Sequence, residues 1–293
     1  MIYALSHRTL FSYSQSVSIS HHVLHLAPRE SPRQSCLESA IAVDPAPAIR
    51  YDDHDYFGNP VTFLTVQEPH PELEVHARSR IEVRAAAGVA LDEGPRWEEV
   101  ARLAETSREA EPLDAYQYAF DSPYVSCGEE TYDFALGSFT PGRPMLAGVI
   151  DLTARIFTGF AYQGGVTDVS TPVSEVLKTR TGVCQDFAHV EIACLRSLGL
   201  PARYVSGYLL TRPPEGKERL VGADASHAWL AVWCPELGWV EFDPTNNLIP
   251  GDEHITLAWG RDYGDVSPIN GFIVGGGGHE VKVAVDVVPE RGA

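Results

Sequence analysis

The chain has 293 residues, of which 44% are hydrophobic and 21% are charged, as is typical of a globular protein with one large domain or two ordinary ones. Its net charge of −18 argues against binding to nucleic acids, because the chain has too few lysines and arginines to displace phosphate counterions. The same charge argues against binding to anionic membrane surfaces, and solubility explains it best.

The sequence predicts a cytoplasmic protein. No segment reaches the ~18 consecutive apolar residues of a membrane span. Residues 1–14 lack the basic start and apolar stretch of a signal peptide. The cysteines are odd in number and contain no CxxC pair, which argues against both a disulfide framework and a zinc site. They are Cys36, Cys127, Cys184, Cys194 and Cys234.

Residues 1–88 are predicted to form a β-rich N-terminal domain, most simply a sandwich of antiparallel strands. Alternating apolar and polar residues predict strands at 17–28, 38–47, 59–69 and 72–84. A small, acidic, proline-marked segment over 86–100 resembles a linker.

Residues 95–293 are predicted to form a second domain of the α+β class, in which helices precede antiparallel strands. Helical spacing of apolar residues marks 145–157, and Thr171–Pro172 is a typical helix start. A further helix is expected from Cys184 to Leu198, where Gly199 and Pro201 end it. The strands expected after it are 202–210, 227–234, 238–245 and 280–288, and GGGG at 275–278 is expected to be a flexible connection.

Cys184 is the candidate nucleophile, because it stands where a helix begins. Free N–H groups and the positive end of the helix dipole favour the thiolate there, and the same N–H groups can stabilise an oxyanion. The alternative is a small buried apolar residue, which is the commonest fate of an intracellular cysteine. Cys194, in the middle of the same helix, is expected to be such a residue.

The other histidines are poor partners for this thiol. His189 lies five residues further along the helix, a rotation of about 140°, and is expected to pack in the interior. His21, His22 and His25 fall in a strand of the other domain, where no carboxylate or cysteine joins them at ligand spacing. We therefore predict no metal site.

His227 is the better base, and Asp243 is the carboxylate expected beside it. His227 begins an apolar strand, and the next strand, which follows a short turn, ends at Asp243. Antiparallel neighbours joined by a short turn place the start of one strand beside the end of the other. A carboxylate beside an imidazole fixes its tautomer. Taken one at a time, His227 and Asp243 could each be an ordinary residue at the end of a strand. Asp224, which precedes His227 in the chain, is the alternative candidate for the orienting carboxylate.

The motifs RTGVCQDFAHV, DASHAWLAVWCPELGWVEFDPTNN and GRDYGDVSPINGF together resemble the transglutaminase-like superfamily of papain-related cysteine enzymes. The segments HLAPRESPRQ and DYFGNPV resemble the β-rich N-terminal region of its bacterial branch. The resemblance implies a papain-like core with Cys184 as nucleophile, His227 as general base and Asp243 as orienting residue. It also implies an oxyanion-binding side chain before the nucleophile helix, for which Tyr162 is preferred over Gln163. Gln185 is a further candidate contact for oxyanion or substrate.

These residues predict cysteine-dependent acyl transfer on amide bonds, without metal or organic cofactor. A peptidase or amidase acting on a peptide or protein is the first reading. A transglutaminase that forms isopeptide bonds is the second, and a non-catalytic peptide-binding scaffold is the third. Calcium dependence is not expected, because no EF-hand pattern is present. The sequence leaves open the substrate, the acceptor, the oligomeric state and the role of the β-rich domain.

Overall fold

The computed structural model describes residues 1–85, 88, 90–211 and 226–290. Its strands, in chain order, are β1 (Ile2–Leu24), β2 (Gln34–Asp44), β3 (Ile49–His54), β4 (Pro60–Val66), β5 (His70–Val83), β6 (Ala161–Tyr162), β7 (Thr181–Gly182), β8 (Ala202–Leu209), β9 (Ser226–Cys234), β10 (Gly238–Phe242), β11 (His254–Gly260), β12 (Ile269–Gly275) and β13 (His279–Glu290). Its α-helices are α1 (Trp97–Thr106), α2 (Ala110–Tyr116), α3 (Glu129–Leu136), α4 (Met145–Gly159), α5 (Val173–Thr179), α6 (Cys184–Ser197) and α7 (Tyr263–Val266). A short 3₁₀ helix, Gln117–Ala119, follows α2.

The long strand β1 is the centre of a seven-stranded antiparallel sheet. On one edge it pairs with β4 and then β5, and on the other edge with β12 and then β13. Pairing stops between Ser12 and Val17 on one edge and between Tyr13 and Val17 on the other, so the sheet consists of two halves. Strands β3 and β2 extend the halves by pairing with β4 and β5.

The two halves of this sheet bury one apolar core between them. Leu24 and Leu64 from one half pack in the same cluster as Leu73 and Val75 from the other. Period-two alternation directs these side chains to the same face of the sheet. The predicted β-rich, sandwich-like region is therefore confirmed, with the correction that its first strand begins at Ile2 rather than near residue 17.

The second unit is a four-stranded antiparallel sheet, in the order β10-β9-β8-β11, with α6 packed against β8 and β9. Helix α6 is buried along almost its whole length. Its predicted start at Cys184 is confirmed, and Gly199 takes a φ of +77° directly after its C-cap, as a C′ glycine does. Helix α5 begins at Val173, because Pro172 caps it from an extended conformation rather than occupying its first turn. The α+β class is thus confirmed.

The last two strands return to the N-terminal sheet. The sequence predicts that residues 269–290 belong to the second domain, but β12 and β13 pair with β1 throughout their length. The three glycines Gly275–Gly277, all with positive φ, turn the chain from one half of the sheet into the other. The domain limits 1–88 and 95–293 remain a prediction. The pairing of β12 and β13 with β1 shows that the chain returns to the N-terminal sheet after the smaller sheet.

The two sheets share an apolar contact. Tyr3, Ile81 and Val285 of the larger sheet pack in one cluster with Tyr208 and Ile255 of the smaller one. Among the described residues, no helix is long and apolar enough to span a membrane. The predicted loop over 211–226, including Asp224, lies almost entirely outside the described residues.

Candidate active site

Cys184 is the first residue of α6 and is half-buried. The start of the helix is fixed by the buried carboxylate of Asp186, which accepts hydrogen bonds from the backbone N–H of Val183 at 2.8 Å and from the hydroxyl of Thr167 at 2.7 Å. A Cβ at position 182 would lie 2.6 Å from Asp186 Oδ2, so only glycine fits there. The thiol is thereby held at the N-terminus of a rigid helix, where N–H groups are free.

His227 stands at the start of β9 and Asp243 directly follows β10, and the two are neighbours as predicted. Nε2 of His227 lies 2.8 Å from Oδ2 of Asp243. The β9–β10 pairing, with Phe242 opposite Leu230, brings the two ends together. The expected adjacency is therefore confirmed.

Asp243 is fully buried, and five hydrogen bonds compensate for the loss of water. Its Oδ1 accepts the backbone N–H groups of Thr245 and Asn246 at 2.9 and 3.2 Å. Its Oδ2 accepts from His227, from the Asn246 side-chain amide at 2.7 Å and from Nε2 of His254 at 3.1 Å. Burial by itself would raise the pKa of Asp243, but the hydrogen bonds from His227 and His254 bring it below its ordinary value. The carboxylate is therefore ionised, and both histidines donate to it through Nε2–H.

The imidazole of His227 links this carboxylate to the thiol. Burial acts to lower the pKa of His227, but hydrogen bonds to Asp243 and to Cys184 outweigh it and raise that pKa to about 9. Because Nε2 is engaged by Asp243, Nδ1 is the ring nitrogen left for the sulfur. The raised pKa of His227 favours the protonated imidazole at neutral pH.

Cys184 and His227 open into a cleft of about 400 Å³ that both sheets line. The smaller sheet contributes Tyr204 and Ser206, which are buried beside the catalytic elements. The larger sheet contributes an apolar wall and two polar residues. The wall consists of Phe11 from β1, Ile269 from β12, and Val281 and Val283 from β13, and the polar residues are His7 and Thr9 of β1. The β-rich region thus forms one side of the cleft that contains the thiol.

Tyr162 and Gln185 are both near Cys184 but differ in their surroundings. Tyr162 is 61% exposed, and β6 pairs with β7 so that it lies opposite Gly182, two residues before the thiol. Burial of part of the ring and the negative charge of Cys184 raise the pKa of Tyr162. Gln185 lines the cleft, and its side-chain amide lies 3.4 Å from the carbonyl oxygen of Val169. Gln163 is tied by its backbone N–H to the carbonyl of Gly182 at 2.8 Å.

The residues predicted to pack do so. Cys194 is fully buried, and burial raises the pKa of its thiol. His189 is 3% exposed, and its Nε2 accepts the backbone N–H of Tyr263 at 3.2 Å. His21 and His22 lie on β1 as predicted, but His25 follows its end. A carboxylate that was not expected there, Asp55, lies 3.3 Å from Nε2 of His25. The one trio of close potential metal ligands among the described residues is instead His227, Asp243 and His254.

Sequence reasoning missed His254 and Asn246. The ligand atoms of His227, Asp243 and His254 lie within 4.8 Å of one another, but both imidazoles direct Nε2–H at the carboxylate. This arrangement is a hydrogen-bonded network around one charged oxygen. The sequence does carry a signal for Asn246, because an asparagine three residues after a strand-end aspartate can donate its side-chain amide to that carboxylate. His254 had no such local signal.

Comparison with known proteins relates both regions of the chain to one family. Residues 3–82 match the family model of the bacterial transglutaminase-like N-terminal region, and residues 138–244 match that of the transglutaminase-like superfamily. An uncharacterized protein of Mycobacterium tuberculosis is 40% identical over 297 aligned residues, covering 99% of this chain and 93% of the relative. One from Mycobacterium leprae is 30% identical over 285 residues, covering 96% of each.

Two further comparisons carry a descriptive name. A protein-glutamine gamma-glutamyltransferase of Pseudomonas aeruginosa is 41% identical over 73 residues, which are 25% of this chain and 11% of that protein. A crystal structure from Cytophaga hutchinsonii, described as that of a candidate cysteine protease, superposes with a TM-score of 0.77 at 20% identity. It covers 100% of this chain and 92% of that one, which establishes a shared fold over the whole length.

Proposed function

The chain belongs to the transglutaminase-like superfamily, a family of cysteine-dependent enzymes, and we propose that it is a peptidase or amidase that cleaves amide bonds through Cys184, His227 and Asp243. One observation carries the proposal. A fully buried, ionised carboxylate is hydrogen-bonded at 2.8 Å to an imidazole, which is in turn hydrogen-bonded to a thiol at the start of a helix. Nucleophile, base and orienting group are thus connected in the order that covalent acyl transfer requires.

In the first half-reaction, the Cys184 proton rests on Nδ1 of His227, and the thiolate attacks the carbonyl carbon of the amide. The carbonyl π electrons move to oxygen and give a tetrahedral oxyanion. The free N–H groups at the start of α6 are the nearest fixed donors to that oxygen. Tyr162 and Gln185 remain the proposed side-chain contacts for the oxyanion or the substrate.

The intermediate then collapses. The C–N bond breaks, and the imidazolium of His227 gives its proton to the leaving nitrogen, which departs as an amine or ammonia. A thioester on Cys184 remains. In the second half-reaction His227 takes a proton from the incoming nucleophile, the thioester is cleaved, and the thiol is regenerated. The ionised Asp243 stabilises the imidazolium at both steps.

Water is the proposed acceptor. Transfer to an amine requires that water be kept from the thioester. Tyr162 is 61% exposed beside the thiol, whereas Tyr208, Trp229 and Trp233, the aromatic side chains available to shield a tunnel, are at most 2% exposed. Trp229 is near the site but stacks on the ring of His227, with the ring centres 5.9 Å apart. These side chains pack in the interior, the usual place for aromatic residues of an apolar strand.

Amine transfer is the second candidate. The local similarity to the protein-glutamine gamma-glutamyltransferase of Pseudomonas aeruginosa favours it, although the match covers 25% of this chain. A non-catalytic scaffold is the third reading. The charged, fully buried Asp243 argues against it, because a structural site gains nothing from holding an imidazolium beside a thiol.

We also propose, from the sequence, the substrate class, the cofactor requirement, the partners and the location of the protein. The substrate is a peptide or protein, the reaction uses no cofactor, and neither nucleic acid nor membrane is a partner. A cytoplasmic location is likewise proposed from the sequence.

The test is mass spectrometry of products from a peptide library incubated with the protein, with and without millimolar methylamine. Hydrolysis predicts cleaved peptides or side-chain acids in both samples, with the acid exceeding the amine adduct. An adduct that outgrew the acid at modest amine concentration would make the enzyme a transferase. The absence of any product that depends on Cys184 would favour the scaffold.

A further inference from the structure

A second cavity, of about 820 Å³, lies between the turns of the larger sheet and the face of the smaller one. Its walls include Tyr118, Trp239 and Trp259, and three arginines: Arg29, Arg33 and Arg203. None of these residues has a role in the proposed reaction. In a chain with a net charge of −18, three guanidinium groups around one cavity require an explanation.

Arg203, on β8, is the central feature of this cavity. Its guanidinium carbon lies 3.7 Å from the ring centre of Trp259 and 4.2 Å from that of Trp239. The residue is 7% exposed. Among the described residues, its Nε has no hydrogen-bond partner, and no carboxylate forms an ion pair with it. Both indoles pack against the guanidinium, whose N–H donors point along its edge.

Arg29 and Arg33 complete the basic side of the cavity. Arg29 stacks on the same Trp259 ring, 3.3 Å from its centre, and donates to the carbonyl oxygen of Phe57 and to Asn59. Arg33 donates to the carbonyl oxygen of Gly251 at 2.8 Å. The Nε atoms of both arginines are buried without a partner among the described residues.

Two carboxylates also line the cavity, and each has its direct contact with a residue other than Arg203. Glu241 lies 3.6 Å from Nη1 of Arg33, and Asp114 accepts the side-chain amide of Gln117 at 2.8 Å. The charges of Glu241 and Asp114 act on Arg203, and that of Asp55 acts on Arg29. Among the described residues, however, no carboxylate forms a direct ion pair with either arginine. Burial lowers the pKa of Arg203 to about 9, which still leaves it charged at neutral pH.

A buried charge without a direct ion-pair partner is costly, and an anionic ligand in the cavity would supply that partner. A carboxylate or phosphate oxygen can accept two parallel N–H bonds along the edge of a guanidinium. We propose that this cavity binds a small anionic ligand through Arg203, by a carboxylate or phosphate group. The aromatic walls favour a ligand with a flat apolar part next to that group.

The cavity is separate from the thiol cleft but shares one residue of the network behind it. His254 lines the cavity and donates through Nε2 to Asp243. The proposal does not depend on the reaction assigned to Cys184, and an inactive enzyme would still bind the anion.

Isothermal titration calorimetry of the full chain with sodium benzoate, with inorganic phosphate and with neutral benzamide tests the proposal. We expect saturable binding at one site for benzoate or phosphate, and none for benzamide. Whichever anion binds identifies the ligand group as carboxylate or phosphate. No binding of either anion, or equal binding of benzoate and benzamide, would overturn the proposal.

Variants locate the site. Arg203→Gln and Arg33→Gln should each weaken binding by roughly tenfold or more, as expected for a lost charge-assisted hydrogen bond. Arg102→Gln, an exposed arginine of α1 outside the cavity, should bind like the wild type. If Arg203→Gln lacks the wild-type circular dichroism spectrum, Arg33→Gln decides, because the Arg33 side chain is already 30% exposed. Unchanged affinity in the folded variants would refute the site.

Discussion

Nε2 of His227 lies 2.8 Å from Oδ2 of Asp243, a carboxylate that no solvent reaches. The bond fixes which imidazole nitrogen carries the proton and leaves Nδ1 for the sulfur of Cys184. Everything proposed for the reaction depends on this orientation.

Asp243→Asn tests it. The amide keeps the shape of the side chain but can hold the imidazole in the wrong tautomer, so hydrolysis of p-nitrophenyl acetate should fall on the order of 10³- to 10⁴-fold. His227→Asn should be at least as damaging. Asp133→Asn, which changes an exposed carboxylate of α3, is the matched control and should retain activity. An Asp243→Asn protein with normal turnover would mean that another carboxylate, such as Asp224, orients the base.

Cys184→Ala should abolish acyl transfer and leave the fold intact, because the side chain is half-buried at a helix start and only borders the apolar core. The expected loss is roughly 10⁴-fold or more, since nucleophile and base act as a unit. Cys36→Ala is the control: Cys36 is also half-buried, but it lies on β2, away from the cleft. Circular dichroism checks the fold of both. Residual turnover of the folded Cys184→Ala protein near the wild-type rate would exclude the thiol as nucleophile.

Iodoacetamide at neutral pH should modify Cys184 well before the other four cysteines. Burial raises the pKa of each of the others, to about 12 for Cys127 and about 11 for Cys234, so their thiolate fractions are small. Cys184 instead faces the imidazole of His227. Peptide mass mapping over time measures the order, and His227→Gln should slow the labelling of Cys184 alone. Simultaneous modification of all five in the native protein would contradict the expected thiolate.

His254 is predicted to be a positioning residue. It donates to Asp243 at 3.1 Å but does not line the thiol cleft. His254→Leu should therefore lower kcat roughly tenfold, the effect of losing one hydrogen bond to a charged group, and leave KM unchanged. His254→Gln, which keeps an N–H donor, should recover most of the loss. A change in KM alone, or no rescue by glutamine, would assign His254 a different role.

The stability of the protein should depend on pH through His227. Burial acts to lower the pKa of His227, but the hydrogen bonds to Asp243 and Cys184 raise it from 6.5 to about 9. A raised pKa contributes stability that is fully present below about pH 6.5 and is lost as the pH rises through about 9. The urea midpoint of the wild type relative to His227→Gln should therefore be higher at about pH 6 than at about pH 10. A difference that grows with pH would show that the imidazole is not held in its charged form.

The sequence predicts the parts of the site that local rules control. Cys184 follows from the helix-start pattern, and the contact of His227 with Asp243 follows from two strands joined by a short turn. His254 could not be found this way. It reaches Asp243 because β11 pairs with β8 rather than with its neighbour in sequence, and no local pattern determines that pairing.

The same limit explains what the sequence missed in the fold. The sequence predicts the strand at the end of the chain but not its place in the N-terminal sheet. Its partner β1 is separated from it by most of the chain, and no local pattern links the two. The stacking of Arg203 between two tryptophans also joins three separate strands, β8, β10 and β11. Both features depend on long-range pairing and packing, which local sequence patterns do not specify.

Intact-protein mass spectrometry during turnover of p-nitrophenyl acetate tests the central claim most directly. The account predicts one acetyl group per chain, located by peptide mapping on Cys184, released by hydroxylamine as a thioester is, and absent from the Cys184→Ala variant. A catalytically active protein that carried no acyl group on Cys184, or carried it on another residue, would contradict the account.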